Sequence, residues 1–423
     1  MEIENYPGRH LTYCTNVHPG ESWKDVLDQL KDNLPGLKKK LSPDKPFGTG
    51  LRLSAEAARD LLKSDRLSRF KEWLDQEGLY VFTLNGFPYG SFHRQRVKDQ
   101  VYKPDWRTEE RVEYTSNLVT ILAELLPENM DGGISTSPLS YKYWLENQEE
   151  TDQAFQTGSR NLARIALEMA NIQNDGGREL HLDIEPEPDC LIENSRETVD
   201  FFSNWLLPVG SEYLLNEFGI PAEEGKKILQ DHIRVCYDTC HFAVEYENPV
   251  RAIENLKEAG IRIGKTQISA ALKVKLNVSE SSLESGALAL KLRNFDEPVY
   301  LHQVVERRQD GSLRQYRDLP DALPHLSNQE AVEWRIHFHV PIFVNNFEQM
   351  GSEEDGAGGT GAIGSTQEDI VKSMQVILKQ NDCRHFEIET YTWEVLPDAL
   401  KSDLPDSIER EFNWTLEMIQ SIS

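Results

Sequence analysis

The chain of 423 residues is long enough for one large domain with insertions or for two ordinary domains, and its 39% hydrophobic and 27% charged residues exclude a disordered chain. Its 71 acidic and 45 basic residues give a formal charge of −26, which argues against extended binding to nucleic acid or to anionic lipid. We expect a cytoplasmic protein with no membrane-inserted segment, because there is neither a leader pattern nor a run of roughly 20 apolar residues. The sequence contains five scattered cysteines without C-x-x-C spacing, which indicates a reducing compartment.

Short β-rich runs alternate with long amphipathic stretches along the whole chain, which predicts an α/β fold with a parallel sheet and helical crossovers. We find nine strand-like runs, in chain order HLTYCTN, GTGLRLS, LYVFTLNGF, GISTSPL, LHLDIEP, IRVCYDT, IGKTQIS, RIHFHVP and HFEIET. Helical patterns lie between them, for example over 106–126 and over 54–63, where Ser54 can cap the helix start. A TIM (β/α)8 barrel needs only eight strands, so one run requires another explanation.

An insertion near residues 275–330 supplies that explanation. Two β-rich runs there flank Asp310-Gly311, a hairpin signal. We predict a single barrel domain over 1–423 with this inserted β-hairpin segment, and we expect HFHVP to re-enter beside the KTQIS strand or to replace it. The Gly-rich segment 351–364 is expected to be a flexible linker or lid, with phosphate binding at the following helix start as the alternative.

Acids and imidazoles end four of the strand-like runs, the position from which working residues project in a β/α barrel. The candidates are Glu185, Asp238 with His241 three residues later, His337 with His339, and Glu389. Any single strand-ending acid is more often a helix cap or an ion-pair partner, but recurrence in successive units favours one converging site. Such an oxygen- and nitrogen-rich set suits one divalent ion, either Mn, Mg, Co, Fe or Zn, which can bridge two oxygens of a polyol.

The first half of the chain offers candidate substrate-binding residues, which are Asn16, His18, Arg52, Asn85, Tyr89 and His93. On the same rim they would line a pocket suited to hydroxyl groups, together with His337. The NGFPYG segment that contains Asn85 and Tyr89 is equally explained as a simple turn. Gln267 in KTQIS can also reach the mouth as a neutral ligand or hydrogen-bond donor.

With these motifs the chain resembles the xylose isomerase-like TIM-barrel superfamily, which includes sugar epimerases, inosose dehydratase-type enzymes and endonuclease IV. The matching elements are Ile184-Glu185-Pro186, Asp238-Thr239-Cys240-His241, His337-Phe338-His339 and Glu389-Thr390. The resemblance implies that Glu185, Asp238, His339 and Glu389 bind one divalent metal, with His241 accompanying them. It also implies that Glu185 and Glu389 are the catalytic residues, exchanging a substrate proton.

One position departs from the superfamily pattern. Where a histidine is usual at the end of the next strand, this chain has Gln267, and His339 follows about seventy residues later. Either residue can be the ligand there. We favour His339, because imidazole is the better donor to a divalent transition metal.

Longer segments resemble the EboE family of metabolite traffic proteins over nearly the whole chain. These segments are CTNVHPGESW, TLNGFPYGSFH, STSPLS, LDIEPEP, CYDTCHFAVEYE and GKTQIS. Members of that family belong to bacterial gene clusters implicated in moving a metabolite precursor toward the periplasm, so the resemblance implies a small-molecule metabolite and a membrane-protein partner.

Two functions follow as hypotheses. The first is a metal-dependent isomerase, epimerase or dehydratase-like enzyme for a small polyhydroxylated or phosphorylated metabolite. The second is a non-catalytic metabolite carrier that supports export of a precursor. An abasic-site endonuclease is disfavoured, because the net charge is acidic and no basic patch with interleaved aromatic residues is present.

Overall fold

The computed structural model describes residues 1–90, 97–276, 282–347, 363–380, 383–398 and 401–422. The strands in these ranges are β1 (His10–Tyr13), β2 (Phe47–Arg52), β3 (Leu79–Asn85), β4 (Gly132–Thr136), β5 (Leu180–Ile184), β6 (Ile233–Asp238), β7 (Ile263–Ile268), β8 (Ala270–Lys275), β9 (Val304–Arg308), β10 (Leu313–Tyr316), β11 (Ala331–Val340), β12 (Ile363–Ser365) and β13 (His385–Ile388).

The helices between them are α1 (Trp23–Leu41), α2 (Ala55–Leu61), α3 (Arg66–Glu77), α4 (Glu109–Leu125), α5 (Gln148–Asn174), α6 (Ser195–Phe201), α7 (Leu207–Phe218), α8 (Ala222–His232), α9 (Thr239–Val244), α10 (Pro249–Glu258), α11 (Ser282–Leu292), α12 (Leu319–Ala322), α13 (Gln367–Gln380) and α14 (Leu404–Ile422). The predicted cap is confirmed, since the Ser54 hydroxyl accepts a hydrogen bond from the Ala57 amide at 3.0 Å.

Eight parallel strands form the main sheet, in the order β1-β13-β7-β6-β5-β4-β3-β2. Its two edges meet, because Cys14 pairs with Gly50 in a parallel bridge. The Thr12 hydroxyl strengthens this seam by accepting from the Gly50 amide and donating to the Gly48 carbonyl, both at 2.9 Å. The sheet is therefore a nearly closed barrel, and the predicted α/β TIM-barrel class is confirmed.

A second, antiparallel sheet has the order β10-β9-β11-β8-β12. The predicted hairpin is its β9–β10 pair, which turns at Asp310-Gly311, with Gly311 at φ +82°. In chain order, the first strand of this sheet is β8, directly after β7, and the last is β12. The inserted sheet therefore extends beyond the predicted range 275–330 on both sides.

The predicted placement of HFHVP is wrong. This run is the end of β11, which pairs antiparallel with β8 and β9 and takes no place in the barrel. The KTQIS strand keeps the seventh barrel position as β7, between β6 and β13. Alternation of polar and apolar residues identified β11 as a strand, but that pattern carries no information about which strands it pairs with.

The barrel interior is polar where barrel interiors are usually filled by branched apolar side chains. Lys265 and Glu387 form a fully buried ion pair inside it. Glycines on other barrel strands leave the space for the interior side chains of Glu387 and Asp183. A Cβ at Gly50 would lie 1.8 Å from Glu387 Oε1, and one at Gly264 would lie 2.0 Å from Asp183 Oδ1.

All five cysteines are free and buried. Among the described residues, no helix is both long enough and apolar enough to cross a membrane.

Candidate metal centre

Three carboxylates meet at the carboxyl ends of the barrel strands. Glu185 follows β5, Asp238 ends β6 and Glu389 follows β13, and one oxygen of each lies within 4.8 Å of the others. All three side chains are buried. The period of two along each strand directs them inward, and Pro186, directly after Glu185, prevents β5 from continuing.

Asp238 has two oxygens with different roles. Oδ1 caps α9 by accepting from the amides of Cys240 at 2.8 Å and His241 at 3.1 Å, and it also accepts from the Ser269 hydroxyl at 2.6 Å. Oδ2 is buried and has no hydrogen-bond partner, and neither has Oε2 of Glu185. Buried carboxylate oxygens without partners are costly, so a cation bound between them would stabilise the cluster.

Three histidines lie beside the acids, each with a partner for Nδ1. The Nδ1 acceptors are the carbonyl oxygen of Pro186 at 3.0 Å for His241, Gln303 Oε1 at 2.8 Å for His337, and the carbonyl oxygen of Glu389 at 2.7 Å for His339. An oxygen acceptor at Nδ1 holds the proton there and leaves the Nε2 lone pair available, as in metal-ligating histidines. Nε2 of His337 and of His339 is buried without a partner.

Glu389 is held by three amide side chains. Its Oε1 accepts from Asn16 and Asn85, both at 2.9 Å, and its Oε2 accepts from Gln267. The oxygen of Gln267 is itself occupied, since it accepts from the Cys236 thiol at 2.6 Å. The sequence predicted Asn16 and Asn85 for a substrate pocket and Gln267 for a ligand position. In the structure all three hold the Glu389 carboxylate, and Asn16 and Asn85 also line the cavity beside it.

The electrostatics of the cluster follow from burial and crowding. Burial, followed by the neighbouring Glu389 and Asp238, raises the pKa of Glu185 well above its ordinary value. Burial also raises the pKa of Glu389, with further contributions from Asp238 and Glu387. The pKa of Asp238 is lowered, because His241, His339 and the hydrogen bond from Ser269 together outweigh its burial. Burial lowers the pKa of His241 to about 4 and also lowers that of His339, so both imidazoles are neutral at neutral pH.

The other predicted substrate residues contact their own neighbours. His18 Nε2 lies 2.8 Å from the Tyr13 hydroxyl, Arg52 donates to the Gly20 carbonyl at 3.1 Å and pairs with Glu21, and Tyr89 packs edge-on against Tyr114. Within the described part of the chain, these three side chains do not line the cavity beside the carboxylates. His93 lies outside the described residues.

A cavity of about 60 Å³ adjoins the cluster. Its wall includes five residues that were not predicted for the site, which are Lys98, Tyr102, Glu187, Tyr300 and Tyr391. The Tyr102 hydroxyl donates to Glu187 Oε1 at 2.9 Å, and Glu187 Oε2 is buried without a partner. Glu187 also forms a possible ligand group with His241 and His337. The sequence signal for Glu187 is the LDIEPEP run, in which Glu187 follows Glu185 by two residues, as Glu185 follows Asp183. No sequence pattern marks Tyr102.

The residues present fit a divalent cation. One possible ligand group is Glu185, Asp238 and Glu389, and another is Asp238, His241 and His339, so Asp238 joins the two. Acid oxygens and neutral imidazoles form the donor set, and partnerless atoms of Glu185, Asp238 and His339 are buried within it.

A comparison with protein-family models finds no match for the sequence, and a search of curated proteins finds none either. Among solved structures, the chain is similar to a xylose isomerase-like TIM-barrel protein from Mycobacterium smegmatis in complex with magnesium, at 9% identity over 100% of this chain and 99% of that chain, with a TM-score of 0.47. It is also similar to a xylose isomerase domain protein from Alicyclobacillus acidocaldarius, at 8% identity over 97% of this chain and 99% of that chain, with a TM-score of 0.43. A third similar structure is the probable 3-DHS dehydratase AsbF from Bacillus anthracis, at 12% identity over 96% of this chain and 98% of that chain, with a TM-score of 0.43.

Proposed function

We propose that this protein is a metal-dependent isomerase, epimerase or dehydratase-like enzyme for a small polyhydroxylated or phosphorylated metabolite. The observation that carries the proposal is the buried group of Glu185, Asp238 and Glu389 beside His339, with polar atoms that lack any hydrogen-bond partner. A packing role leaves these buried polar atoms without partners unexplained.

Glu185, Asp238, His339 and Glu389 would hold the ion, with His241 next to them. A bound divalent cation would polarise neighbouring oxygens of the substrate and make their protons, and those of the adjoining carbon, easier to remove. Of the two candidate ligands His339 and Gln267, His339 is the better one. The Gln267 oxygen already accepts a hydrogen bond from Cys236, whereas His339 Nε2 has no partner.

Glu185 and Glu389 are the candidates for moving the substrate proton. Asn16, Asn85 and Gln267 hold the Glu389 carboxylate in one orientation, which is what a base needs to meet one particular C–H bond. The Tyr102 hydroxyl and Glu187 on the cavity wall are placed to contact substrate hydroxyl groups.

The resemblance of the long motifs to the EboE family supports assigning this reaction to a bacterial metabolite traffic pathway. In that setting the protein works in the cytoplasm, in keeping with its five free cysteines, and hands its product to a membrane-protein partner.

The test measures proton exchange directly. The purified protein is loaded in turn with Mn²⁺, Mg²⁺, Co²⁺, Fe²⁺ and Zn²⁺ and incubated in D₂O with a panel of sugars, sugar phosphates and cyclitols, and NMR records deuterium incorporation. We expect metal-dependent exchange that is lost in Glu389→Gln and Glu185→Gln. The matched control is Glu168→Gln, which changes a half-buried carboxylate that bonds to Ser116 between α4 and α5.

If every metal-loaded form binds a panel compound but none exchanges or converts it, the enzymatic proposal fails and the carrier hypothesis takes its place. If Glu168→Gln loses exchange to the same degree as Glu389→Gln, the assignment of the site fails.

A further inference from the structure

A second group of metal-ligating side chains lies at the opposite end of the barrel. It consists of Asp131, His181 and His385, and one ligand atom of each lies within 4.8 Å of the others. Asp131 directly precedes β4, His181 is near the start of β5 and His385 is the first residue of β13. His181 precedes Glu185 by four residues on an extended strand, which puts the two groups roughly 13 Å apart at about 3.3 Å per residue.

The two imidazoles are both 0% exposed and stack at a centroid distance of 5.2 Å. Three of their ring nitrogens, Nε2 of His181 and both nitrogens of His385, have no hydrogen-bond partner, and neither has Asp131 Oδ1. An unpartnered nitrogen on a fully buried ring costs free energy, so the group is incomplete as it stands.

The distances from the Asp131 carboxylate to the two imidazoles suit a shared ion better than direct hydrogen bonds. Asp131 Oδ2 lies 3.7 Å from His181 Nε2, and Asp131 Oδ1 lies 3.5 Å from His385 Nε2. These distances exceed an ordinary N–H···O bond. They are close to the roughly 3.4 Å that separates two donors bound at about 2.1 Å to one tetrahedral ion.

His181 also has the outer partner that metal-bound histidines have. Its Nδ1 lies 2.7 Å from Asp183 Oδ1, so a cation on Nε2 would place the proton on Nδ1, where it is donated to that carboxylate. Burial lowers the pKa of His181 well below its ordinary value, which makes the ring a neutral ligand.

Two arginines near Asp131 oppose a cation there, and each is compensated. Arg234 lies 3.5 Å from Asp131 and also pairs with Glu179. Arg384 lies 3.6 Å from Asp131, and its side chain is 58% exposed, so solvent screens its charge.

We propose that Asp131, His181 and His385 form a second site for a divalent transition metal such as Zn²⁺, separate from the centre at the barrel mouth. Two imidazoles and one carboxylate are a donor set for zinc or another first-row ion. The bound ion would connect the starts of β5 and β13 and the segment before β4, three points around the end of the barrel at which the strands begin.

The experiment counts zinc in the full-length, tag-free protein. The protein is stripped with chelator, reloaded with Zn²⁺, passed through gel filtration and analysed for bound metal by mass spectrometry. An Asp238→Asn, His339→Gln variant removes ligands at the mouth and should keep about one equivalent. Adding His385→Gln to that variant should remove it. The control His232→Gln changes a buried histidine at the same end of the barrel that bonds to the Leu180 carbonyl, and it should leave the zinc count unchanged.

If the mouth variant holds no zinc, or if His385→Gln leaves the count unchanged, Asp131, His181 and His385 are an ion-pair cluster only and the proposal is overturned. Failure of the mouth centre is a separate outcome, since the wild type would then hold one equivalent that His385→Gln removes. Anomalous diffraction above the zinc edge from wild-type crystals decides the question without any variant. A peak between His181 and His385 supports the site, and its absence at full zinc loading refutes it.

Discussion

Replacing Lys265 by Met tests what the polar barrel interior contributes to stability. The Lys265 side chain is fully buried, its ammonium pairs with Glu387 and it donates to the Ser135 hydroxyl at 3.3 Å. It also opposes the rise in the pKa of both Glu185 and Glu389 at the mouth. Lys265→Met would leave the Glu387 carboxylate buried and without its counter-ion.

The magnitude follows from what remains after the change. Removing one partner of a buried ion pair costs about 3–5 kcal/mol, because the remaining charge is uncompensated. Removing both partners is often nearly neutral, since two desolvation penalties disappear together with the attraction. We therefore expect Lys265→Met to lower the free energy of unfolding by about 3–5 kcal/mol and Lys265→Met, Glu387→Met to lower it by about 1 kcal/mol or less.

Urea unfolding followed by tryptophan fluorescence and far-ultraviolet circular dichroism measures both variants. The control is Lys24→Met, which breaks the exposed pair with Asp28, where the Lys24 side chain is 82% exposed, and it should leave the midpoint unchanged. A loss below about 1 kcal/mol in Lys265→Met, or equal losses in the single and double variants, would refute the reasoning.

Three further predictions concern protonation and packing. Because burial raises the pKa of Glu185 and Glu389, metal binding should release protons, so calorimetric enthalpies should differ between buffers of different ionisation enthalpy, and equal enthalpies would contradict this. Burial raises the pKa of Glu411 to about 8, so the folded state keeps a proton that the unfolded state loses above about pH 4.5. Between these two pH values the free energy of unfolding should therefore fall, by up to about 1.4 kcal/mol per pH unit. Urea titrations at pH 5 to 8 measure this slope, and Glu411→Gln should remove the contribution of Glu411 to it. Gly264→Ala would place its Cβ 2.0 Å from a buried carboxylate oxygen and should cost about 1–3 kcal/mol, whereas Gly36→Ala in α1 meets nothing within 4 Å and should be neutral or stabilising; similar thermal midpoints for the two would count against the packing argument.

The eight barrel strands could be predicted from the sequence because each is a local signal. A parallel strand is a short apolar run bounded by turn residues, and chain order with helical crossovers limits how such runs can pair. The convergence of Glu185, Asp238 and Glu389 followed from the same logic, since the carboxyl ends of all barrel strands share one rim. The metal itself stays a prediction.

The placement of HFHVP could not be predicted, because the run has the same local pattern as a barrel strand. Pairing of β11 with β8 and β9 depends on the backbone direction after Ser269, where the chain leaves β7 and continues into a separate sheet. The roles of Asn16, Asn85 and Gln267 were also beyond the sequence, since an amide can face a substrate or a carboxylate and only its neighbours decide between them.

The sequence by itself determined the fold class and the rim on which the acids gather, because these depend on periodicity and chain order. Only the tertiary structure decided that His339 reaches this rim from a second sheet and that three amides fix Glu389. It alone brought together Asp131, His181 and His385, which are separated by 50 residues or more along the chain. The physical reason is that a periodic pattern specifies which face of an element is buried, whereas the partners on that face are set by how distant elements pack.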